Sequence, residues 1–374
     1  MSRHARSHPG LPVDGIERPT AEGWTFPARN PATGEALWDV PDAGIADVLA
    51  AAHAAWRAFH ETQWSTDTAL RADVIGRLQD ALVARSDELA LLLAAETGVP
   101  VALRDAHLDA AIAGMRRERH GEPPGVTAVV TPATSPLAVA VEEVGRVLVG
   151  GGTMVLKPAA EAASAALELG RIALDILPRG VLNVVSTRDV DVATALTLDQ
   201  GVDEVSFTGS AVNAERVKVA ATLAGKRVRL DAGGPLTLRA ADDADLAAVV
   251  SAAAVAVAAN AGQGCRLPTS VVVPPHRYDE ALRAAVASME GVVVGDPGEP
   301  DTLCGPLRSR VARDRVARYL ALARSEGGDI AVGGRVLDRD GWWVSPTVIG
   351  GLGQESRLVK EEVLGPVLMV VAEG

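Results

Sequence analysis

From Val126 to Leu230, short β-branched runs alternate with helix-patterned stretches, and that alternation leaves few folds open to the chain. Val126–Val130 precedes a helical pattern from about Leu137 to Val149, and Met154–Leu156 precedes one from about Glu161 to Ile176. Leu182–Val185, Glu204–Phe207 and Val228–Leu230 continue the series, with helical patterns near Val190–Leu198 and Ala211–Leu223. Apolar strands each followed by a helix predict an α/β fold, a parallel sheet with both faces covered. Upstream, Ile45–Phe59 reads as an amphipathic helix and Leu70–Thr97 as two more. Residues 1–28 are rich in Pro, His and Arg without periodicity, which predicts a loose arm. After Asp231-Ala-Gly-Gly the pattern loosens: a helix to Asn260, a strand Ser270–Val273, helices near Tyr278–Met289 and Val311–Ser325, then Trp342–Val348. The Gly233-Gly234 pair is taken as a domain boundary, dividing residues 29–234 from 235–374.

A chain of 374 residues exceeds one ordinary core. Its 48% hydrophobic content is ample for burial, and with 3% aromatics it favours helices on Val/Leu strands. The formal charge of −12 argues against nucleic acid and anionic membranes as partners. Two cysteines, Cys265 and Cys304, make no disulfide framework, which points to a reducing, cytoplasmic setting. The start, Met1-Ser-Arg-His-Ala-Arg, lacks an apolar core of the secretory kind. The longest apolar stretch, Ala247–Ala259, is too short to span a bilayer.

Most standard signatures are missing. No G-x-G-x-x-G follows a strand, the phosphate cradle of a P-loop is absent before Gly225-Lys226, and no G-x-S-x-G occurs. The seven histidines are scattered, none at metal-ligand spacing with a cysteine or carboxylate, so no metal site is expected. Cys265 stands out because it closes the Gly-rich run Asn260-Ala-Gly-Gln-Gly-Cys265 between a helix and a strand. Such a loop can expose a thiol and turn backbone N–H groups toward it, which favours the thiolate and an oxyanion. Cys304 lacks that context and reads as a small buried side chain.

Asn260–Cys265 resembles the cysteine loop of aldehyde dehydrogenases, and Leu230-Asp-Ala-Gly-Gly234 lies where that family carries Glu-Leu-Gly-Gly, with Asp231 34 positions before Cys265. Other matches fall in family order: Asn30-Pro-Ala-Thr-Gly-Glu35, Glu96-Thr-Gly-Val-Pro100, Val155-Leu-Lys-Pro158 and Ser206-Phe-Thr-Gly-Ser210. Gly295-Asp-Pro297, Gly305-Pro-Leu307, Pro346-Thr-Val348 and Glu361-Glu-Val-Leu-Gly-Pro-Val367 complete them. The resemblance implies a Rossmann-like NAD(P)-binding domain followed by an α/β catalytic domain. It also implies oxidation of an aldehyde to an acid. Cys265 would attack as a thiolate, hydride would pass to NAD or NADP, and a carboxylate at Asp231 would activate water on the resulting thioester. Lys157 would bind the adenosine ribose, Gly209 and Ser210 would meet the pyrophosphate at a helix N-terminus, and Glu362 would hold the nicotinamide ribose.

Several positions depart from the family. Thr134, in Pro132-Ala-Thr-Ser-Pro136, stands where an Asn amide serves the oxyanion, and Asp231 is one methylene shorter than the family's Glu. Ala160 replaces a ribose-touching Glu, which leaves NAD against NADP open; Leu364 replaces a Phe that packs on the nicotinamide; Ser270 replaces an Arg. The segment between Glu96 and Pro132 is short, and the chain ends soon after the Glu361-Glu362 motif. From these features the catalytic domain is expected to be incomplete, and family-type oligomerisation is doubted. Two other readings remain: a dinucleotide-binding relative with weak or no turnover, and acyl transfer or ester hydrolysis through Cys265.

Overall fold

The computed structural model describes residues 10–117 and 123–374, and the chain divides into two compact units. The first comprises residues up to Arg29, Ala36–Glu96 and Arg104–Ala232; the second comprises Asn30–Glu35, Thr97–Leu103 and Gly233–Gly374.

The first unit opens with a hairpin of β1 (Leu11–Val13) and β2 (Ile16–Arg18), then an antiparallel pair, β3 (Thr25–Arg29) and β4 (Ala36–Pro41). The loose arm expected over residues 1–28 is therefore corrected from Gly10 onward; residues 1–9 lie outside the described residues. Asp14 and Gly15 both take positive φ, the geometry of a two-residue hairpin turn that an Asp-Gly pair favours. Asp14 also accepts from Arg57 at 3.0 Å and Arg179 at 3.2 Å, and Leu11–Val13 is fully buried.

Helices α1 (Ile45–His60), α2 (Thr68–Ala84), α3 (Ser86–Thr97) and α4 (Ala110–Gly114) follow, α4 being preceded by a π-helical turn at Asp105–Asp109. The sheet is then built from β5 (Val126–Thr131), β6 (Thr153–Pro158), β7 (Leu182–Val184), β8 (Glu204–Gly209) and β9 (Arg227–Ala232). The intervening helices are α5 (Pro136–Val149), α6 (Ala163–Leu174), α7 (Val190–Leu198) and α8 (Ala211–Leu223). All pairings are parallel and the order is β7-β6-β5-β8-β9. The chain first steps outward from β5 through β6 to β7, then returns to β8 and β9 on the other side. Right-handed crossovers consequently send α5 and α6 to one face and α7 and α8 to the other. Strands β5 and β6 are buried almost throughout, as continuous apolar runs between two helical layers must be, whereas the edge strand β9 is largely exposed.

Glu96, near the end of α3, shows how this unit is stapled. It is fully buried and accepts from the backbone N–H of Ser164 (3.0 Å) and Ala165 (3.4 Å) at the start of α6, and from Ser164 Oγ (2.6 Å). Trp38 Nε1 in turn donates to Ser164 Oγ at 2.7 Å. Burial pushes the Glu96 carboxyl up to about 7, against the lowering effect of these donors. The folded value lies above the unfolded one, so the group's stability is full below the ordinary carboxylate pKa and is lost as pH rises through about 7. Glu96→Gln is expected to flatten the fall in thermal stability between about pH 5 and pH 8, a span worth about 3 kcal/mol. Melting temperature against pH measures it, and an unchanged slope would remove the assignment.

The second unit has strands β10 (Leu236–Arg239), β11 (Pro268–Val273), β12 (Asp329–Val332), β13 (Thr347–Gly350) and β14 (Val367–Ala372) in the order β10-β11-β14-β13-β12. Only the β12–β13 pairing is antiparallel among them. Helices α9 (Leu246–Ala258) and α10 (Tyr278–Glu290) pack on one face; α11 (Arg310–Ser325) and the short α12 (Arg357–Lys360) pack on the other. The two-residue period sorts the central strand: Leu368 and Val370 join the core with α9 and α10, while Val367, Met369 and Val371 join that of α11. The strand expected over Trp342–Val348 begins only at Thr347. Pro346 lacks an N–H for a ladder, and the two tryptophans are engaged elsewhere: Trp342 N donates to Pro31 O (3.0 Å) and Trp343 Nε1 to Ala32 O (3.1 Å). The motif Asn30–Glu35 is thus the hairpin tip that the early sequence contributes to the second unit.

Candidate active-site residues in each unit

Because the first sheet is wholly parallel, the carboxyl ends of its strands share one edge, and the switch point between β5 and β8 opens there. Five of the residues singled out from sequence lie along that edge. Thr134 is buried in the turn between β5 and α5; Lys157 ends β6; Gly209 ends β8; Ser210 caps α8; Asp231 stands exposed near the end of the edge strand β9. Lys157 is half-buried, and desolvation lowers its pKa while Glu161 opposes the shift. A methyl group on Gly209 would meet the Phe207 ring at 2.7 Å, so the strand end is held free of a side chain. Ser210 Oγ accepts from Asn213 N at 3.4 Å, completing the first turn of α8. A cation, a bare backbone step and a helix N-terminus at a switch point fit a dinucleotide.

The second unit carries Cys265, Glu362 and Leu364 and brings their segments together. After α9 the chain makes a tight turn, Ala259–Gly262, in which Asn260, Ala261 and Gly262 all have positive φ. Asn260 N donates to Leu303 O (3.0 Å) and Asn260 Nδ2 to Gln263 O (2.8 Å), which fixes the run before Cys265. Cys265 itself is partly exposed and forms no disulfide. Gly262 lies against the Glu361–Pro366 segment: a Cβ there would stand 2.0 Å from Gly365 O. Glu362 in turn rests on the backbone of Gly233, where a Cβ would come within 2.8 Å of its Oε1. Burial raises the Glu362 pKa, with Arg315 and Arg308 opposing. Leu364 takes φ 55°, a strained value for a side chain of its size, at the corner that leads into β14.

Cys304 is fully buried, and desolvation pushes its thiol up to about 12, so it is chemically silent beside Cys265. Ser270 is buried in β11 with its hydroxyl 2.7 Å from that of Thr237, a packing role within the sheet. Arg308 and Arg315 carry no motif, and only their contacts with Gln263 and Glu362 single them out. Among the described residues no group of His, Cys, Asp or Glu is arranged to hold a metal, and no helix is long and apolar enough to cross a membrane.

The architecture defines an α/β protein of the dinucleotide-binding class, joined to a second α/β unit that presents a loop thiol. The chain belongs to the aldehyde dehydrogenase family, whose sequence profile matches residues 19–372. A mitochondrial aldehyde dehydrogenase of Leishmania tarentolae is 31% identical, over 96% of this chain and 77% of that protein. The NAD+ complex of an aldehyde dehydrogenase from Bacillus cereus superposes with a TM-score of 0.94 at 30% identity, covering 99% of this chain and 80% of that one. A variant of aldehyde dehydrogenase C from Pseudomonas syringae, in complex with NAD+ and octanal, gives a TM-score of 0.92 at 30% identity, covering 98% and 80%.

Proposed function

We propose that the protein oxidises an aldehyde to its carboxylic acid with NAD+ or NADP+, through a covalent intermediate on Cys265. The observation that carries this reading is the Cys265 loop, fixed internally by Asn260 and closed by Gly262 against the segment that bears Glu362, in a chain of this family. The Cys265 thiolate bonds to the aldehyde carbon, and the carbonyl oxygen takes the negative charge, giving a thiohemiacetal. Thr134 and backbone N–H groups of the cysteine loop are the donors proposed for that oxygen. Bound NAD+ or NADP+ supplies the hydride acceptor. Asp231 then takes a proton from water as the water oxygen attacks the thioester, and the carbon–sulfur bond breaks to return the thiolate. Lys157 is assigned to the adenosine ribose, Gly209 and Ser210 to the pyrophosphate, and Glu362 to the nicotinamide ribose, with Leu364 beside it. The relatives solved with NAD+ and with octanal support a nicotinamide cofactor and an aldehyde substrate for this chain as well. Two cysteines that form no disulfide support a reducing, cytoplasmic setting.

The test is incubation with NAD+ or NADP+ and a panel of aldehydes that includes octanal, following reduced nicotinamide. Steady formation is expected; cofactor binding without reduction for any aldehyde would overturn the reading. Asp231→Asn is expected to lower kcat by about 10²- to 10⁴-fold while a stoichiometric burst of reduced nicotinamide survives, because the base acts after hydride transfer. Asp231→Glu, which restores a longer reach, should keep or raise kcat. Loss of the burst along with turnover would move Asp231 to an earlier step.

A further inference from the structure

The cysteine loop and the Glu362 segment share a third neighbour, the short stretch after Gly305-Pro306. Gln263, two residues before Cys265, is almost wholly buried and its amide is saturated. Its Nε2 donates to the carbonyl oxygens of Asn260 (3.2 Å) and Pro306 (3.3 Å). Its Oε1 accepts twice from one residue, from Arg308 N at 2.9 Å and Arg308 Nη1 at 3.3 Å. The same guanidinium lies close enough to Glu362 to oppose the rise that burial imposes on its carboxyl. Arg315, the other cation near Glu362, donates instead to the Glu362 backbone carbonyl, so the two arginines are not equivalent.

We propose that Arg308 is a positioning residue that holds the nucleophile loop, through Gln263 Oε1, beside the Glu362 segment on which Gly262 closes, so that the thiol and the ribose-holding carboxylate keep one fixed spacing. The consequence for turnover rests on the function proposed above; the tie itself does not. A planar cation with several donors suits this role, since one side chain can bond to an amide oxygen while its charge acts on a nearby carboxylate. Neither half of the tie replaces the other. The hydrogen bonds hold the loop, and the charge acts on Glu362.

Two variants separate these halves. Arg308→Gln can still donate to Gln263 but carries no charge; Arg308→Lys keeps the charge on a different donor geometry. The readouts are the pH profile of Cys265 alkylation by iodoacetamide, which Cys304 does not obscure because it is buried, and the dissociation constant for NAD+. Arg308→Gln is expected to keep the alkylation profile near wild type and weaken NAD+ binding about tenfold. Arg308→Lys is expected to keep NAD+ binding within about threefold and shift the alkylation profile. Arg308→Ala should move both, with KM for NAD+ rising more than kcat falls. If all three variants fold and leave both readouts within about twofold of wild type, or lower only the melting temperature, the proposal is overturned. Should Arg308→Ala fail to fold, the Gln and Lys variants still decide. Both readouts are obtained without turnover, so an inactive wild-type protein would sink the proposed function and leave this test intact.

Discussion

Replacing Cys265 by serine is expected to lower kcat/KM for aldehyde oxidation by at least about 10³-fold while leaving thermal stability and NAD+ binding unchanged. Serine is nearly isosteric, and Cys265 is partly exposed in its loop, so the fold loses little. The chemistry loses its nucleophile, because a hydroxyl is a far weaker nucleophile than a thiol at neutral pH. Stoichiometric labelling gives a second reading of the same variant. Wild type should take up one equivalent of a thiol reagent rapidly and the variant none, since Cys304 is sealed in the core with its thiol pushed up to about 12. A serine variant that retained activity within about tenfold would remove Cys265 from the mechanism.

The second large effect falls on a residue with no chemistry of its own. Gly262→Ala is expected to destabilise the second unit by about 3–5 kcal/mol and to disorder the cysteine loop. Gly262 has φ +69°, and its Cβ would stand 2.0 Å from Gly365 O, 2.2 Å from Gly365 C and 2.7 Å from Pro366 N. All three are backbone atoms, so no side chain can swing away. Gly264→Ala is the control: the nearest atoms to its Cβ would be those of the Leu267 side chain, at 3.1 Å or more, and its φ is not in the left-handed region. Chemical unfolding of the two variants, with the Cys265 alkylation rate at each pH, checks the contrast. Equal behaviour of the two alanines would mean that the approach of the cysteine loop to Gly365 does not organise this unit.

The α/β class was legible because strands buried on both faces tend to be apolar runs, as β5 and β6 largely are, although β8 is buried with Glu204, Ser206 and Thr208 alternating in it. Thr134, Lys157, Gly209, Ser210 and Asp231 could be named in order because each sits at a strand end, where local pattern and motif coincide. The short hairpin of β1 and β2 was missed even though Asp14-Gly15 is a turn signal, because three-residue strands are too short to show alternation. Trp342–Val348 misled in the opposite direction. Its apolar side chains imitate a strand, but Pro346 cannot donate to a ladder and the two tryptophans bond to Pro31 and Ala32. Strand β14 is apolar on both faces and so shows no alternation; only the strand order reveals it as the centre of its sheet.

By itself, the sequence determined the family and the succession of strand-end residues, since both are local patterns carried along the chain. Tertiary structure decided which distant segments touch. Gly262 meets Gly365, Gly233 meets Glu362, and Arg308 bonds to Gln263 across 45 positions. Each of these contacts depends on a missing Cβ or on one guanidinium meeting an amide, and such complementarity between remote backbones leaves no periodic mark in the residues that make it.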